Sequence, residues 1–176
     1  MSKNIKELAE RIEAAYKEIN AIRNEIREAM ADTQRRFTPD DNAWVDLGLS
    51  SGRLWYGVEV EGYFTHEEAV EVFGENLPSA VAMAELYEEC EWEWDNEKKG
   101  YKVIGPNGNS IFLSANGYKD SDGDLNYKGS YGYYWTKCVS KTSQAYARYL
   151  GFHSGCIYPL NYHYRAYGFS VRPVRE

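Results

Sequence analysis

Ile5, Ile12, Ile19 and Ile26 recur every seven residues, and Leu8, Ala15, Ile22 and Ala29 fill the complementary positions. No Pro or Gly interrupts residues 1–31, and Glu, Lys, Arg and Asn occupy most of the outside. Apolar residues at a and d over four heptads specify a helix with a narrow seam. Ser2 is placed to cap the start. Phe37-Thr38-Pro39-Asp40 ends any helix by Thr38, because a residue before proline is turned away from helical backbone. Two packings suit such a seam: a helix lying on its own domain, or a parallel coiled coil. The narrow stripe favours a coiled coil over residues 1–36, and Ile at both a and d favours a trimer or higher assembly over a dimer. The two Ala positions weaken the seam, so the rest of the chain is expected to help hold the oligomer.

After Pro39 the texture changes. Trp44 to Trp55 reads as a strand, a Gly-containing turn and a second strand. Residues 65–73 read as a helix, with Thr65 and Glu68 spaced as a capping box. Pro78 and Ser79 open a second helix that runs to Cys90. Cys90 to Asp95 alternates as an edge strand. Tyr101 to Ile104 and Ser110 to Leu113 are strands separated by a Pro-Asn-Gly-Asn turn. The sequence predicts an α+β domain with short strands and a long loop-rich region, closed by a strand containing Arg172 and Arg175. No internal repeat stands out.

The charge is unevenly placed. Residues 1–124 hold 26 acidic and 13 basic side chains, whereas 125–176 hold one acid, Glu176, and seven bases. Nine of the 16 tyrosines lie between Tyr131 and Tyr167, mixed with Ser, Asn, His, Gly and Arg. Tyrosine supplies broad amphipathic contact at low entropic cost, and Ser, Gly and Asn supply adaptable hydrogen bonds. The tail therefore reads as a binding face. The acidic body and the scattered bases argue against a nucleic-acid partner. No stretch resembles a signal peptide or is long enough to span a membrane, so membrane insertion is not expected.

Motifs for chemistry are sparse. Asp120, Asp122 and Asp124 alternate around Gly123, which suits either a calcium loop or a polar turn; the absence of a closing Glu favours the turn. His66, His153 and His163 have no zinc-like partners at useful spacing. Cys90, Cys138 and Cys156 form no Cys-x-x-Cys pair. Three free thiols is the simpler reading, and a Cys138–Cys156 disulfide the alternative. A Cys/His nucleophile built from Cys138 or Cys156 with His153 or His163 would need a base within hydrogen-bond reach, which spacing does not show. No metal, cofactor or catalytic residue is expected.

The frame Trp44-Val45-Asp46-Leu47-Gly48-Leu49-Ser50-Ser51-Gly52-Arg53-Leu54-Trp55 resembles the opening of C-type lectin-like domains of gut Bacteroidetes, which are related to the Fibrobacter succinogenes major paralogous domain. Leu77-Pro78-Ser79, the Cys90 to Trp94 strand, Tyr101 to Leu113, Gly117-Tyr118, Gly129 to Thr136 and Tyr167 to Arg175 extend the likeness over about 43–175. Members with the Tyr-Trp-Thr start and Gly-Phe-Ser-Val-Arg end resemble variable proteins of diversity-generating retroelements.

This resemblance implies a C-type lectin-like ligand-binding domain over 43–176, with a variable region at about 136–165. It implies a scaffold held by residues such as Trp135, Ala147, Leu150, Phe152 and Phe169. The displayed, ligand-binding set would be Lys137, Cys138, Ser140, Lys141, Gln144, Tyr146, Arg148, His153, Cys156, Tyr158, Leu160, Asn161, Tyr162 and His163. The implied partner is a cell-surface protein or glycan, met by a homo-oligomer, a trimer on the heptad argument. Such a protein would sit on a virion, as a phage tail-fibre tip, or at a cell surface reached by a non-classical route. The alternative is a fixed-specificity carbohydrate-binding or adhesin module.

Overall fold

The computed structural model describes residues 2–33 and 36–176. The chain divides into two compact units, Met1–Arg35 and Arg36–Glu176. In the first, α1 (Ser2–Thr33) is one uninterrupted helix. Leu8, Ile12, Ile19 and Ile22 are 48–56% exposed along it. The coiled-coil expectation is therefore corrected: α1 stands as a single helix whose seam is uncovered among the described residues. The heptads specify the apolar stripe, but burial needs a facing element that spacing does not supply. The side chains of Ile5, Ile26 and Ala29 lie outside the described residues.

The second unit opens with β1 (Trp44–Asp46) and β2 (Leu54–Tyr56), then α2 (His66–Phe73) and α3 (Ala80–Glu89). Thr65 caps α2, and Glu68 returns the bond by accepting the Thr65 N–H at 2.7 Å. Ser79 Oγ caps α3 by accepting the Ala82 N–H at 3.0 Å. β3 (Glu91–Asp95), β4 (Gly100–Ile104) and β5 (Ser110–Ser114) form an antiparallel meander. β6 (Tyr118–Lys119) and β7 (Leu125–Asn126) pair in a small ribbon. The long strands follow: β8 (Tyr131–Val139), β9 (Tyr146–His153) and β10 (Cys156–Tyr164), antiparallel in the order β10-β9-β8. β11 (Val174–Arg175) returns to pair with β2. The stretch expected to be loop-rich thus holds the longest strands of the fold.

Two buried clusters flank that long sheet. One gathers Leu86, Met83, Tyr101, Tyr134, Leu150 and Phe152; the other gathers Ala69, Phe73, Trp135, Ala147, Tyr149 and Phe169. Gly132 is required because the Phe152 ring occupies the space that a Cβ would take. Arg172 is fully buried and ties the end of the chain to two other strands. Its Nη1 donates to Tyr56 O at 3.0 Å and Val58 O at 2.6 Å, and its Nη2 to Phe112 O at 2.6 Å. These carbonyls satisfy much of a cation that would otherwise be costly to bury.

The α+β class holds, but the C-type lectin-like assignment does not. Such a domain is expected to carry a disulfide-bonded loop, and Cys90, Cys138 and Cys156 are all free. Topology gives the reason for the last two. Cys138 is on β8 and Cys156 on β10, with β9 between them. Two strand spacings amount to roughly 10 Å, beyond the ~7 Å Cα separation that a disulfide spans.

Candidate ligand-binding surface

The pleat of β9 sends alternate side chains to opposite faces. Ala147, Tyr149, Gly151 and His153 take one face; Tyr146, Arg148, Leu150 and Phe152 take the other. Register carries the division across the sheet. Tyr131 lies opposite His153, Tyr133 opposite Gly151, and Trp135 opposite Tyr149. On the other side, Tyr158 meets Gly151, Asn161 meets Tyr149, and His163 meets Ala147. One face therefore collects Tyr131, Tyr133, Tyr149, His153, Tyr158 and His163. Gly151 leaves room there, since the Tyr149 ring lies over its backbone.

Two further segments add rings. Tyr118 on β6 sits 5.0 Å from Tyr133, 5.4 Å from Tyr167 in a stacked pair, and 5.8 Å from His163, between ring centroids. Tyr127 follows β7 with a positive φ of 56° and lies 5.2 Å from Tyr131. Tyr131 in turn is 5.2 Å from His153, which is 6.1 Å from Tyr158. At the other end His163 is 4.6 Å from Tyr167. The rings form one continuous band from Tyr158 to His163. Offset-stacked and edge-on rings at such spacings attract one another, so the band stiffens itself.

The band is partly open to solvent: Tyr127 is 57% exposed and Tyr158 43%. Its inner members are neutral. Burial pushes the Tyr133 phenol far above its ordinary value, helped by Tyr149, and burial also raises Tyr118 and Tyr149. Burial holds the His163 imidazole below its ordinary value. The strands under the band contain no carboxylate, since none occurs from Leu125 through Arg175. Such a surface can offer ring faces and neutral hydroxyl donors and acceptors.

The Trp135 end of the same face is covered. His66, at the start of α2, is fully buried there, with its ring 5.3 Å from Trp135. Its Nδ1 accepts from Arg165 Nε at 3.2 Å, so Nε2 carries the proton and donates to Thr136 O at 3.0 Å. Burial lowers its pKa; the Thr136 carbonyl opposes that shift and the Arg165 charge adds to it.

Of the 14 residues predicted for display, His153, Cys156, Tyr158, Asn161 and His163 occupy this face or its edge. The others lie elsewhere. Tyr146, Arg148 and Tyr162 are on the opposite face, with Arg148 paired to Tyr162, and Leu160 packs against the core cluster below. Ser140, Lys141 and Gln144 belong to the β8–β9 turn. Lys137 is exposed, with its N–H bonded to Pro78 O at 2.8 Å. Cys138 is half-buried, and its Sγ accepts the Ala80 N–H of α3 at 3.4 Å. The predicted set is thus split between two faces.

Sequence reasoning missed Tyr118, Tyr127, Tyr131, Tyr133, Tyr149 and Tyr167. The i, i+2 spacing of Tyr131 and Tyr133 was a usable strand signal; nothing local pointed to Tyr118 or Tyr127. Asp120 spends its carboxylate on its own loop. Oδ1 accepts from the N–H of Asp122 and Asp124 at 3.1 and 3.0 Å, and Oδ2 from Asn126 Nδ2 at 3.0 Å. Cys156 lies opposite His153 in register, but His153 Nδ1 accepts the Gly155 N–H at 3.1 Å instead. Among the described residues no cluster of three His, Cys, Asp or Glu side chains could hold a metal ion, and no helix is long and apolar enough to cross a membrane.

A family model described as a domain of unknown function (DUF8237) matches residues 80–174. The match runs from α3 into β11 and includes the whole β8–β10 sheet, more than half of the 176 residues. No curated protein and no solved structure matches the chain. The chain belongs to the DUF8237 family.

Proposed function

We propose that this DUF8237 member is a non-catalytic recognition protein that grips a cell-surface protein or glycan with the tyrosine–histidine band. The observation that carries this reading is the continuous, partly exposed run of rings from Tyr158 to His163, on strands without a carboxylate. Aromatic anchors supply most of the affinity in such contacts, and neutral hydroxyls fix orientation. Side-chain diversification of the tail by a retroelement is part of the proposal. It is supported by a strand backbone held by buried Trp135, Leu150 and Phe152, beside positions that face solvent. A homo-oligomer is proposed as well. Several copies held together would present several bands at once, raising avidity by about 10²–10⁴. A phage tail or a cell surface would use that multiplicity.

Two measurements test the reading. Labelled protein is titrated onto a panel of intact bacterial cells and printed glycans, with Tyr127→Ala/Tyr158→Ala alongside. Binding to a subset, lost in the folded double variant, is the expected result; equal binding by both proteins would overturn the band as the contact. Deep sequencing of the gene across one population reads diversification. Substitutions clustered in codons 136–165 support it, and a uniform tail would leave a fixed-specificity carbohydrate-binding or adhesin module.

A further inference from the structure

The opposite face of the β8–β10 sheet ends in a concavity beside the β8–β9 turn. Ser140, Lys141, Thr142, Ser143, Tyr146 and Tyr162 line a cleft of about 450 Å³, within the roughly 300–1,000 Å³ usual for small-molecule sites. The pleat places Tyr146 and Arg148 on the side of β9 away from Tyr149 and His153, so this cleft is separate from the tyrosine–histidine band.

The cleft is built by short-range contacts. Ser140 N donates to Tyr146 O at 2.8 Å, and Ser140 Oγ accepts the N–H groups of Thr142 and Ser143 at 3.3 and 3.4 Å. These bonds fix the turn that carries Lys141. The Tyr146 ring is braced by Tyr164, 4.4 Å away. Arg148 Nε donates to the Tyr162 hydroxyl at 2.7 Å, and its guanidinium carbon lies 5.1 Å from the Tyr162 ring centroid. This bond orients one wall of the cleft and sets a cation beside it. Among the described residues Arg148 and Lys141 have no carboxylate within ion-pair distance.

We infer that this cleft binds an acidic sugar, a pyranose bearing a carboxylate. The chemistry selects that class on three counts. Tyrosine rings suit the apolar C–H face of a pyranose. The Thr142, Ser143 and tyrosine hydroxyls suit its ring hydroxyls. The Arg148 guanidinium, with two Nη groups beyond its bond to Tyr162, suits a carboxylate through charge-assisted hydrogen bonds. A neutral sugar leaves that cation unused, and an acidic peptide side chain leaves the hydroxyl lining unused. The inference goes beyond the proposed function, because it concerns a different face and a different contact.

The test uses the full chain, with glucuronate, glucose and a short aspartate-rich peptide as probes. Binding is followed by the ring resonances of Tyr146 and Tyr162, with Tyr131 and His153 as reporters of the other face. Glucuronate is expected to shift the Tyr146 and Tyr162 signals and to bind about tenfold or more tightly than glucose, as loss of one charge-assisted contact implies. Arg148→Gln is expected to remove that preference while its melting temperature shows it folded; Arg148→Lys should restore part of it. Equal affinity for glucose and glucuronate would overturn the inference. So would shifts confined to Tyr131 and His153, or a peptide that occupies the cleft more tightly than the sugar. None of these outcomes changes the cell-binding result for Tyr127→Ala/Tyr158→Ala, so failure of the cleft and failure of the band are read separately.

Discussion

The two faces of the β8–β10 sheet are both rich in rings, yet the rings have different duties. On the face beneath α3, Tyr134 and Phe152 are 1% exposed and pack with Tyr101 and Leu150 in the core. On the other face, Tyr131, Tyr133, Tyr118 and Tyr127 pack edge-on and stacked against one another, with part of each row left in solvent. Aromatic residues therefore do not by themselves mark core or contact. What separates the two is whether the rings are sealed from solvent under α3 with Met83, Leu86 and Leu150 or left partly in water at the surface. The first arrangement serves stability, and the second is the surface proposed for contact with a partner.

The largest effect should come from breaking the core face. Phe152→Ala removes a ring that fills the space above Gly132 and contacts Tyr101 and Tyr134. Buried Phe→Ala changes cost about 3–5 kcal/mol, so a urea midpoint should collapse or the protein should fail to fold. A loss below about 1 kcal/mol would mean that the face is far less tightly packed than its burial implies.

Acid should then strain the banded face. His66 and His163 both lie under or within it, and burial lowers both pKa values. Their folded values sit below the unfolded value of about 6.5, so the unfolded chain takes up protons first as pH falls. The stability that these neutral imidazoles confer is whole above about pH 6.5 and is lost as pH drops below it through the folded values. Urea midpoints at pH 7.5 and 5.0 should show the loss, and His66→Gln should flatten the slope. An unchanged slope in that variant would assign the acid sensitivity elsewhere. Thr65→Ala probes the same face from α2. Loss of the cap that holds the Glu68 N–H should cost about 1 kcal/mol, seen as a small fall in melting temperature.

Legibility in the sequence followed the range of the forces. The Thr65–Glu68 capping box, the Ser79 cap and the β3–β5 meander depend on neighbours within a few residues, and each was readable. The tail strands were legible only in part, because beyond the i, i+2 spacing of Tyr131 and Tyr133 the run Tyr-Gly-Tyr-Tyr-Trp-Thr has no clean alternation of apolar and polar residues. Tyrosine stands on either side of that divide. The site was legible as a composition, and five of the predicted residues lie on or beside the band. Its outline was not legible, because Tyr118 and Tyr127 are brought in by the β6–β7 ribbon and its turns. The α1 heptads taught the converse: a strong period fixes a helix but not what covers it.

The smallest effect on stability should come from the exposed rings, and it is the sharpest test of the comparison. Tyr127 and Tyr158 are about half in solvent; Tyr158 ends its row, and Tyr127 lies on the rim beside Tyr118 and Tyr131. Surface truncations of this kind change stability by about 0.5 kcal/mol or less. If these rings are anchors, each truncation should nonetheless cost roughly 2 kcal/mol of binding, about thirtyfold in affinity. Denaturation and cell binding measured on the same variants decide the matter. Unchanged stability with lost binding separates the two faces by function. Lost stability with unchanged binding would make the band a second core that happens to be wet, because its rings would then be held for each other and not for a partner.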